Sequence, residues 1–331
     1  MKIWRSLLLG GLVACSYADD AFFVRRAGAD LPVWRQGVDD SDTVVLMTQG
    51  SGASGRIYDW FESFERIEEE VAVVYWDLRG AGVSQGNPAD DSLTVDDMIL
   101  DLDLVRDAVV ERYAPERLVL MGHSLGGGLS LGYLRDAEAR EGVDGYIDIA
   151  GARHAEDAYD AVRDVMIAVA EAEGLDEVTA FYEAQIDIPQ GPDRLVHAEN
   201  TVTINAARGF DQAASDGALA SFVAGRGLGT SVAGGFDILG YLGNTSRFVR
   251  RFDFGTMNFD DRDLAEIDVP TQFVTGRFDL SVPPEFSEAT FEALDPDRRP
   301  ADFVELEAGH WPMFDAPDGF AEAVLDFLDE L

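Results

Sequence analysis

The sequence predicts an α/β protein in which helices cover both faces of a mostly parallel central sheet, with one helical insertion. Short, nearly continuous apolar runs alternate with stretches of helical spacing, which is typical of strands buried on both faces. The alternation stops over residues 152–262 and then resumes to the end of the 331-residue chain. The flanking parts, 22–151 and 263–331, are therefore expected to form one core, and the insertion a helical lid over it.

The predicted elements follow one another in an order that suits such a sheet. A leading antiparallel pair of strands is predicted at 22–24 and 31–34. Buried strands are predicted at 43–47, 71–76, 118–121, 145–149, 271–275 and 303–306. Helices are predicted at 56–70, from Thr94, after Ser124, near 285–294 and over 317–330.

The charge of the chain excludes one class of partner. There are 25 Lys and Arg against 63 Asp and Glu, a formal net charge of −38. This charge would repel phosphate groups, so nucleic acid is excluded as a partner. The content of apolar residues is a separate matter: hydrophobic residues make up 47% of the chain, which excludes disorder as its general state. Because the acids are spread along the chain, adaptation to high salt is favoured over an acidic surface for cationic substrates.

The first residues have the layout of an export signal. Two basic residues precede a short apolar run over 7–13, which is too short to span a membrane. The sequence Leu-Val-Ala-Cys that ends at Cys15 resembles a bacterial lipobox, which predicts removal of residues 1–14 and lipidation of Cys15. The protein is then expected to be an exported lipoprotein on the periplasmic or cell-surface side, held to the membrane only at Cys15. Cleavage after Ala18, or a buried Cys15 in an N-terminal helix, are the alternatives.

One short motif predicts a nucleophile. Residues 122–126, Gly-His-Ser-Leu-Gly, match the G-x-S-x-G elbow, in which a sharp turn between a strand and a helix exposes a serine. A serine hydroxyl is a weak nucleophile and has to stand clear of the sheet, within reach of a base. A plain glycine-rich turn is the alternative. The predicted strand before the motif and the predicted helix after it favour the elbow, with Ser124 as the nucleophile.

The base and the acid are selected by their positions in the chain. Of the four histidines, His123 lies inside the elbow and two lie in the insertion, which leaves His310 in the loop after the last predicted strand. A solvated loop histidine is the alternative. Asp279 follows the strand over 271–275 and is the predicted acid that orients the imidazole, with Asp148 as the second choice.

These residues together resemble the α/β-hydrolase superfamily, in which the triad runs Ser, Asp, His along the chain, as Ser124, Asp279 and His310 do here. Residues 77–84, Asp-Leu-Arg-Gly-Ala-Gly-Val-Ser, and residues 264–276 are similar to segments of its serine hydrolase branch, which includes proline iminopeptidases and esterases. The resemblance implies the α/β-hydrolase fold, a Ser-Asp-His triad and an acyl-enzyme. It also implies a small-molecule or short peptide substrate and no cofactor.

The resemblance further implies an oxyanion hole, for which the amides of Ser51 and Leu125 are in position. The family usually has His-Gly at this loop, where this chain has Gln49 and Gly50. Because the hole uses backbone N–H groups, the change leaves the donors in place. Proline iminopeptidases have a Trp-rich lid segment, and no tryptophan lies in 152–262. Cleavage of an ester or amide is therefore predicted, with an iminopeptidase-like aminopeptidase as the alternative.

Two functions of another class are further alternatives. Residues 50–55 match G-x-G-x-x-G between a predicted strand and helix, and Asp77 lies 22 residues beyond them, as in NAD(P)-binding Rossmann-type proteins. The motif follows two earlier predicted strands and leaves Ser124, Asp279 and His310 unexplained, which favours the hydrolase. A hydrolase fold that serves only as a binding module is the other alternative. No metal site is predicted, since the chain has one Cys and no H-x-x-x-H spacing.

Overall fold

The computed structural model describes residues 20–152, 158–185, 194–232, 236–252, 257, 264–294 and 301–331. The predicted signal peptide, residues 1–14, and Cys15 lie outside the described residues. Within the described part of the chain, no helix is long and apolar enough to cross a membrane.

The sheet has nine strands in the described residues. They are β1 (Ala21–Arg26), β2 (Ala29–Gly37), β3 (Thr43–Thr48), β4 (Ala72–Trp76), β5 (Gln85–Gly86), β6 (Arg117–His123), β7 (Gly145–Ile149), β8 (Thr271–Gly276) and β9 (Ala301–Leu306). Their order across the sheet is β1-β2-β4-β3-β6-β7-β8-β9, with β5 paired to β2. The six strands from β4 to β9 in this order are parallel, and β1 and β2 form the predicted antiparallel pair at one edge. The predicted α/β class and mostly parallel sheet are confirmed.

Helices occupy the connections between the strands. They are α1 (Gly55–Asp59), α2 (Glu62–Glu68), α3 (Val95–Tyr113), α4 (Leu125–Leu134), α5 (Ala137–Arg140), α6 (Ala158–Ala172), α7 (Asp176–Glu183), α8 (Arg194–Ala207), α9 (Gln212–Val232), α10 (Ile238–Arg251), α11 (Pro284–Ala293), α12 (Pro312–Asp315) and α13 (Pro317–Glu330). The prediction of one helix over 56–70 is wrong, because two helices fill it. Phe61 has extended backbone between them, and its buried ring packs edge-on against Tyr58 and Trp311.

Both faces of the sheet are covered, as the apolar runs predict. Successive side chains of a strand point to opposite faces. In β3, Val44 and Leu46 pack into a cluster with α3 and α4, whereas Val45 and Met47 pack into one with α2 and α13. All four side chains are buried. This double burial explains why β3 has no alternation of polar and apolar residues.

The described residues between β7 and β8 include the five helices α6 to α10, here called the inserted helices. No strand occurs among the described residues of 152–262. The inserted helices contact the carboxyl edge of the sheet at several points. The Thr245 hydroxyl donates to the Gly52 carbonyl at 2.6 Å, and the Asn205 amide donates to the Phe278 carbonyl at 2.8 Å. The loops that follow β3 and β8 are therefore tied to this group of helices.

Candidate active site

Ser124 lies on a strained turn between β6 and α4. Its φ of 53° is in the region that favours glycine, which costs a serine of order 1–3 kcal/mol. Three backbone hydrogen bonds hold it there. Its amide donates to the Ile149 carbonyl at 2.9 Å, and its carbonyl accepts from the amides of Gly128 and Ala152 at 3.2 and 3.0 Å. The strain is therefore maintained by the strand on one side and the helix on the other.

The glycines of the motif are required by close backbone approach. A Cβ on Gly122 would lie 2.4 Å from the Gly126 carbonyl oxygen. A Cβ on Gly126 would lie 2.1 Å from the Thr48 carbonyl oxygen, at the end of β3. Neither distance allows a side chain, so the turn packs this tightly only with glycine on both sides of Ser124.

Asp279 and His310 form a direct pair at the ends of β8 and β9. The His310 Nδ1–H donates to Asp279 Oδ2 at 2.7 Å. The second oxygen of Asp279 accepts from the amides of Ser281 and Val282 at 2.8 and 3.0 Å. These bonds fix the carboxylate, and the pairing leaves His310 Nε2 as the basic nitrogen. Asp148, the second choice of acid, accepts instead from the Tyr146 hydroxyl and the Gly151 amide.

The environment of His310 favours the charged imidazole. Burial opposes that form, because it removes water from the ring. The negative charge and hydrogen bond of Asp279 outweigh the burial, with a smaller contribution from the charge of Asp216. The pKa of His310 is therefore raised above its ordinary value. A raised pKa makes the neutral ring a stronger base.

A hydrogen-bonded chain that the sequence did not predict connects the loops of the site. The Gly50 amide donates to the Tyr58 hydroxyl at 2.9 Å, and this hydroxyl contacts His123 Nδ1 at 2.8 Å. His123 Nε2 contacts the His310 carbonyl oxygen at 2.8 Å. A carbonyl only accepts, so Nε2 carries the proton and Nδ1 accepts from Tyr58. The chain runs from the loop after β3, through the elbow, to the loop after β9.

His123 stays neutral in this chain. It is buried, and burial together with the neighbouring charge of His310 places its pKa well below the ordinary value. Its ring packs against His310 and Trp311, with centroids 4.8 and 4.7 Å away. Sequence reasoning set His123 aside as a base, but nothing in the sequence links it to Tyr58, which precedes it by 65 residues.

Ser124 and His310 lie in neighbouring loops that meet at His123. His123 precedes Ser124 in the chain and contacts the ring and the carbonyl of His310. Within the described residues, the Ser124 hydroxyl makes no hydrogen bond to His310. Contacts of this kind are often long in the absence of a substrate and shorten when one binds.

Ser51 and Leu125, the predicted oxyanion donors, have amides that make no hydrogen bond within the described residues. Leu125 is the first residue of α4, and the first amides of a helix have no partner inside it. The Gly50 amide already donates to Tyr58 and is not available to an oxyanion. The next amide along the loop, that of Ser51, is the first one that could serve as a donor. In the orientation that satisfies both ends of its amide, buried Gln49 bonds the Trp76 carbonyl and the Leu78 amide at 2.7 Å each. The loop is thus supported without the usual histidine.

Asp77 has a structural position rather than a ligand-binding one. It is fully buried and accepts from the amides of Gly55 and Val83 at 2.7 and 2.5 Å and from the Ser54 hydroxyl at 3.0 Å. Burial raises its pKa to about 6, against the opposite effect of these hydrogen bonds. The carboxylate joins the loop after β3 to the turn after β4, so it is not available to the ribose of a dinucleotide.

A cavity of about 270 Å³ lies between the loop after β3 and the inserted helices. Most of the side chains around it are apolar. It is lined by Ser51, Gly52, Ala53, Ile57, Asp216, Leu219, Ala220, Val223, Tyr241, Thr245 and Trp311. Ser51 is one of the predicted oxyanion donors, and Trp311 follows the predicted base. The cavity therefore adjoins the predicted chemistry and offers an apolar substrate group a place to bind.

Residues 44–323 match the alpha/beta hydrolase family. This segment includes the strands β4 to β9, all of β3 except Thr43, and every predicted catalytic residue. The chain belongs to the alpha/beta hydrolase family. It is also 24% identical, over 305 residues, to a probable aminopeptidase, YbaC, of Bacillus subtilis (strain 168). That alignment covers 87% of this hydrolase and 89% of the relative.

Solved structures share the fold of this hydrolase at low sequence identity. A proline iminopeptidase-related protein from Thermus thermophilus is 22% identical, with a TM-score of 0.58 over 94% of this chain and 98% of that one. A thermophilic esterase from Thermogutta terrifontis is 20% identical, with a TM-score of 0.56 over 94% of this chain and 99% of that one. Among the described residues, no group of three or more His, Cys, Asp or Glu side chains could hold a metal ion.

Proposed function

We propose that the enzyme is a serine hydrolase that cleaves carboxylic esters or amides through an acyl-enzyme. The observation that carries the proposal is the Asp279–His310 hydrogen bond at 2.7 Å, beside an elbow that holds Ser124 at φ 53°. His310 takes the proton of Ser124 while Ser124 Oγ bonds to the carbonyl carbon. The amides of Ser51 and Leu125 stabilise the negative charge that develops on the carbonyl oxygen.

The remaining steps use the same groups. His310 gives its proton to the leaving alcohol or amine, which departs and leaves an acyl group on Ser124. Water then attacks the acyl carbon as His310 accepts a proton from it. The proton returns to Ser124 Oγ when the acid product leaves. Asp279 stays ionised throughout and stabilises the imidazolium.

Labelling with a fluorophosphonate probe tests the activated serine. The wild-type chain is expected to be labelled, and Ser124→Ala is expected to lose all labelling while keeping its circular dichroism spectrum. Ser130→Ala, which changes a buried serine of α4, is the matched control and should be labelled like the wild type. A folded wild type that is not labelled, or a labelled Ser124→Ala, would contradict the proposal.

Aminopeptidase activity is the second candidate, and Asp216 favours it. Asp216 lines the otherwise mostly apolar cavity, and its charge acts on His310. A carboxylate at this place is suited to the protonated amine of a peptide N-terminus. Asp216→Asn is expected to raise KM for amino-acid arylamides about tenfold and to leave KM for aryl esters unchanged. Equal effects on both substrates would remove Asp216 from amine recognition.

Export and lipidation complete the proposal. The lipobox-like sequence supports an acyl chain on Cys15 after removal of residues 1–14. Mass spectrometry of the membrane fraction should find the mature chain beginning at a diacylated Cys15, and Cys15→Ser should move it to the soluble fraction. Cleavage after Ala18 instead would contradict lipidation.

The net charge of −38 supports adaptation to molar salt. The melting temperature is expected to rise from dilute buffer to molar potassium chloride, because screening weakens repulsion among the carboxylates. A melting temperature that does not depend on salt would contradict this part of the proposal.

A further inference from the structure

The outer face of α10 is apolar and exposed. Leu239 is 78% exposed and Leu242 is 56% exposed, and Val249 is 40% exposed at the edge of this face, where it borders Gly52. Their spacing of three and seven residues places them on one stripe. Leu228 of α9 is also exposed, and its neighbour Gly227 lies beside Ile238 at the start of α10. These four residues are here called the outer surface.

The opposite side of α10 is already occupied. Phe248 is fully buried, and Thr245 donates to the Gly52 carbonyl. Asn244 donates to the carbonyls of Gly82 and Ser84 at 3.1 and 2.9 Å. These contacts fix the rotation of α10 about its own axis against the core. Leu239 and Leu242 therefore face outward, away from the rest of the protein.

The outer surface lies in a part of the chain where acids are scarce. Residues 217–251 contain four arginines and a single acid, Asp237, whereas the whole chain contains 63 acids in 331 residues. Most of this protein's surface would be repelled by anionic headgroups. In the fold, however, Arg247 and Arg251 of α10 pair with Asp90, and Arg226 of α9 pairs with Glu65. The exposed leucines, rather than the arginines, therefore give this helix the character of one that lies in a membrane interface.

The start of the described chain is close to this helix. Ala21 and Phe23 of β1 line the same cavity of about 330 Å³ as Asp237 and Gly240, at the beginning of α10. The proposed lipid attachment at Cys15 precedes Ala21 by six residues, which span at most about 20 Å. An acyl chain on Cys15 would thus enter a bilayer close to the outer surface.

We propose that the outer surface rests on the lipid bilayer, with Leu239 and Leu242 inserted among the headgroups. The position of the anchor supports this proposal, which is otherwise independent of the proposed catalysis. Anchor and helix together would give the enzyme two points of attachment and thereby fix its orientation on the bilayer. A second copy of the chain is the competing occupant of the same surface.

Vesicle binding by the full chain with Cys15→Ser, which cannot be acylated, tests the outer surface alone. The vesicles contain phosphatidylethanolamine and phosphatidylglycerol at three to one, and molar salt is kept throughout. Leu239→Ser with Leu242→Ser is expected to lower the partition coefficient tenfold or more. The matched control is Leu100→Ser with Leu104→Ser on α3, where the leucines are 49% and 38% exposed and lie among acids. The control should bind as the parent chain does.

Three results would overturn the proposal. The first is a parent chain that does not bind vesicles, and the second is an equal loss in the α10 variant and the α3 control. The third is a concentration-dependent dimer, seen by sedimentation without vesicles and lost in the α10 variant, which would assign the surface to a second copy. Fluorophosphonate labelling of every variant keeps the two proposals distinguishable, because neither leucine pair lines the cavity beside Ser51.

Discussion

The carboxyl edge of the sheet and the inserted helices differ in how firmly they hold the groups that would meet a substrate. At the sheet edge, the backbone of Ser124 makes three hydrogen bonds, and the carboxylate of Asp279 accepts from two amides and His310. The inserted helices meet the cavity mainly with apolar side chains such as Leu219 and Val223. Fixed polar groups suit bond making and breaking, whereas apolar contacts suit selection of the substrate. Changes at the edge should therefore lower kcat, and changes in the helices should alter KM.

Asp279→Asn is expected to have the largest effect. The neutral amide cannot stabilise the imidazolium and favours the wrong tautomer of His310, so kcat should fall about 10⁴-fold with little change in KM. Steady-state hydrolysis of an aryl ester measures both constants. Glu307→Gln, an exposed residue just before His310, is the control and should behave as wild type. A change in KM alone would contradict the contrast between the two regions.

Tyr58→Phe tests whether the hydrogen-bonded chain belongs to the catalytic edge. The change leaves the Gly50 amide and His123 Nδ1 without a partner, which should cost about 1–3 kcal/mol of folding free energy. The same hydrogen-bonded chain also holds the His310 carbonyl, so its loss should misplace the imidazole. We expect kcat to fall about 30-fold, which corresponds to a rise of about 2 kcal/mol in the activation barrier, with KM unchanged.

The matched control for Tyr58→Phe is Tyr133→Phe, which removes a hydroxyl that donates to Asp103 at 3.2 Å, away from the site. It should lose stability without loss of kcat. If both variants lost stability and kept kcat, the chain through Tyr58 and His123 would be structural only. Urea unfolding and ester kinetics on the same samples give the two quantities.

The pH profile of the wild type tests which histidine acts. Only neutral His310 can accept a proton, and its pKa is raised, so kcat/KM should rise with pH and level off above that raised pKa. Below it, kcat/KM should fall about tenfold per pH unit. His123 should add no second limb near neutrality, because its pKa is well below the ordinary value. In Asp279→Asn the limb should move to lower pH, and an unmoved limb would exclude Asp279 as the cause of the raised pKa.

Much of the sheet edge could be predicted from the sequence, because its residues are positioned by local rules. A parallel strand brings its carboxyl end to the same edge as its neighbours, so residues just after predicted strands are expected to meet there. This reasoning placed Asp279 and His310 at adjacent strand ends, where they are hydrogen-bonded. The glycines on both sides of Ser124 likewise indicate a tight turn, in which backbone segments lie too close together for a side chain at either position.

The parts that could not be predicted depend on contacts between distant segments. Tyr58 meets His123 across 65 residues, and no pattern in either segment indicates the other. The break at Phe61 has no signal in the sequence, because the apolar residues around it keep helical spacing, and its ring packs against residues as distant as Phe222 and Trp311. In the inserted helices, apolar spacing shows a face but not its partner, so Tyr241 in the cavity and Leu239 in solvent looked alike.

Thr245→Val should have the smallest effect, and it tests the boundary between the two regions. The threonine hydroxyl donates to the Gly52 carbonyl at 2.6 Å, next to the amide of Ser51 and within the cavity lining. Losing one such bond costs about 1 kcal/mol, so KM should rise about threefold to fivefold while kcat stays within a factor of two. Thr230→Val, which removes a hydroxyl bond to Arg226 within α9, is the control and should change neither constant. A fall in kcat as large as that of Tyr58→Phe would show instead that α10 helps to hold the oxyanion loop, and the inserted helices would then belong to the catalytic machinery rather than only to substrate selection.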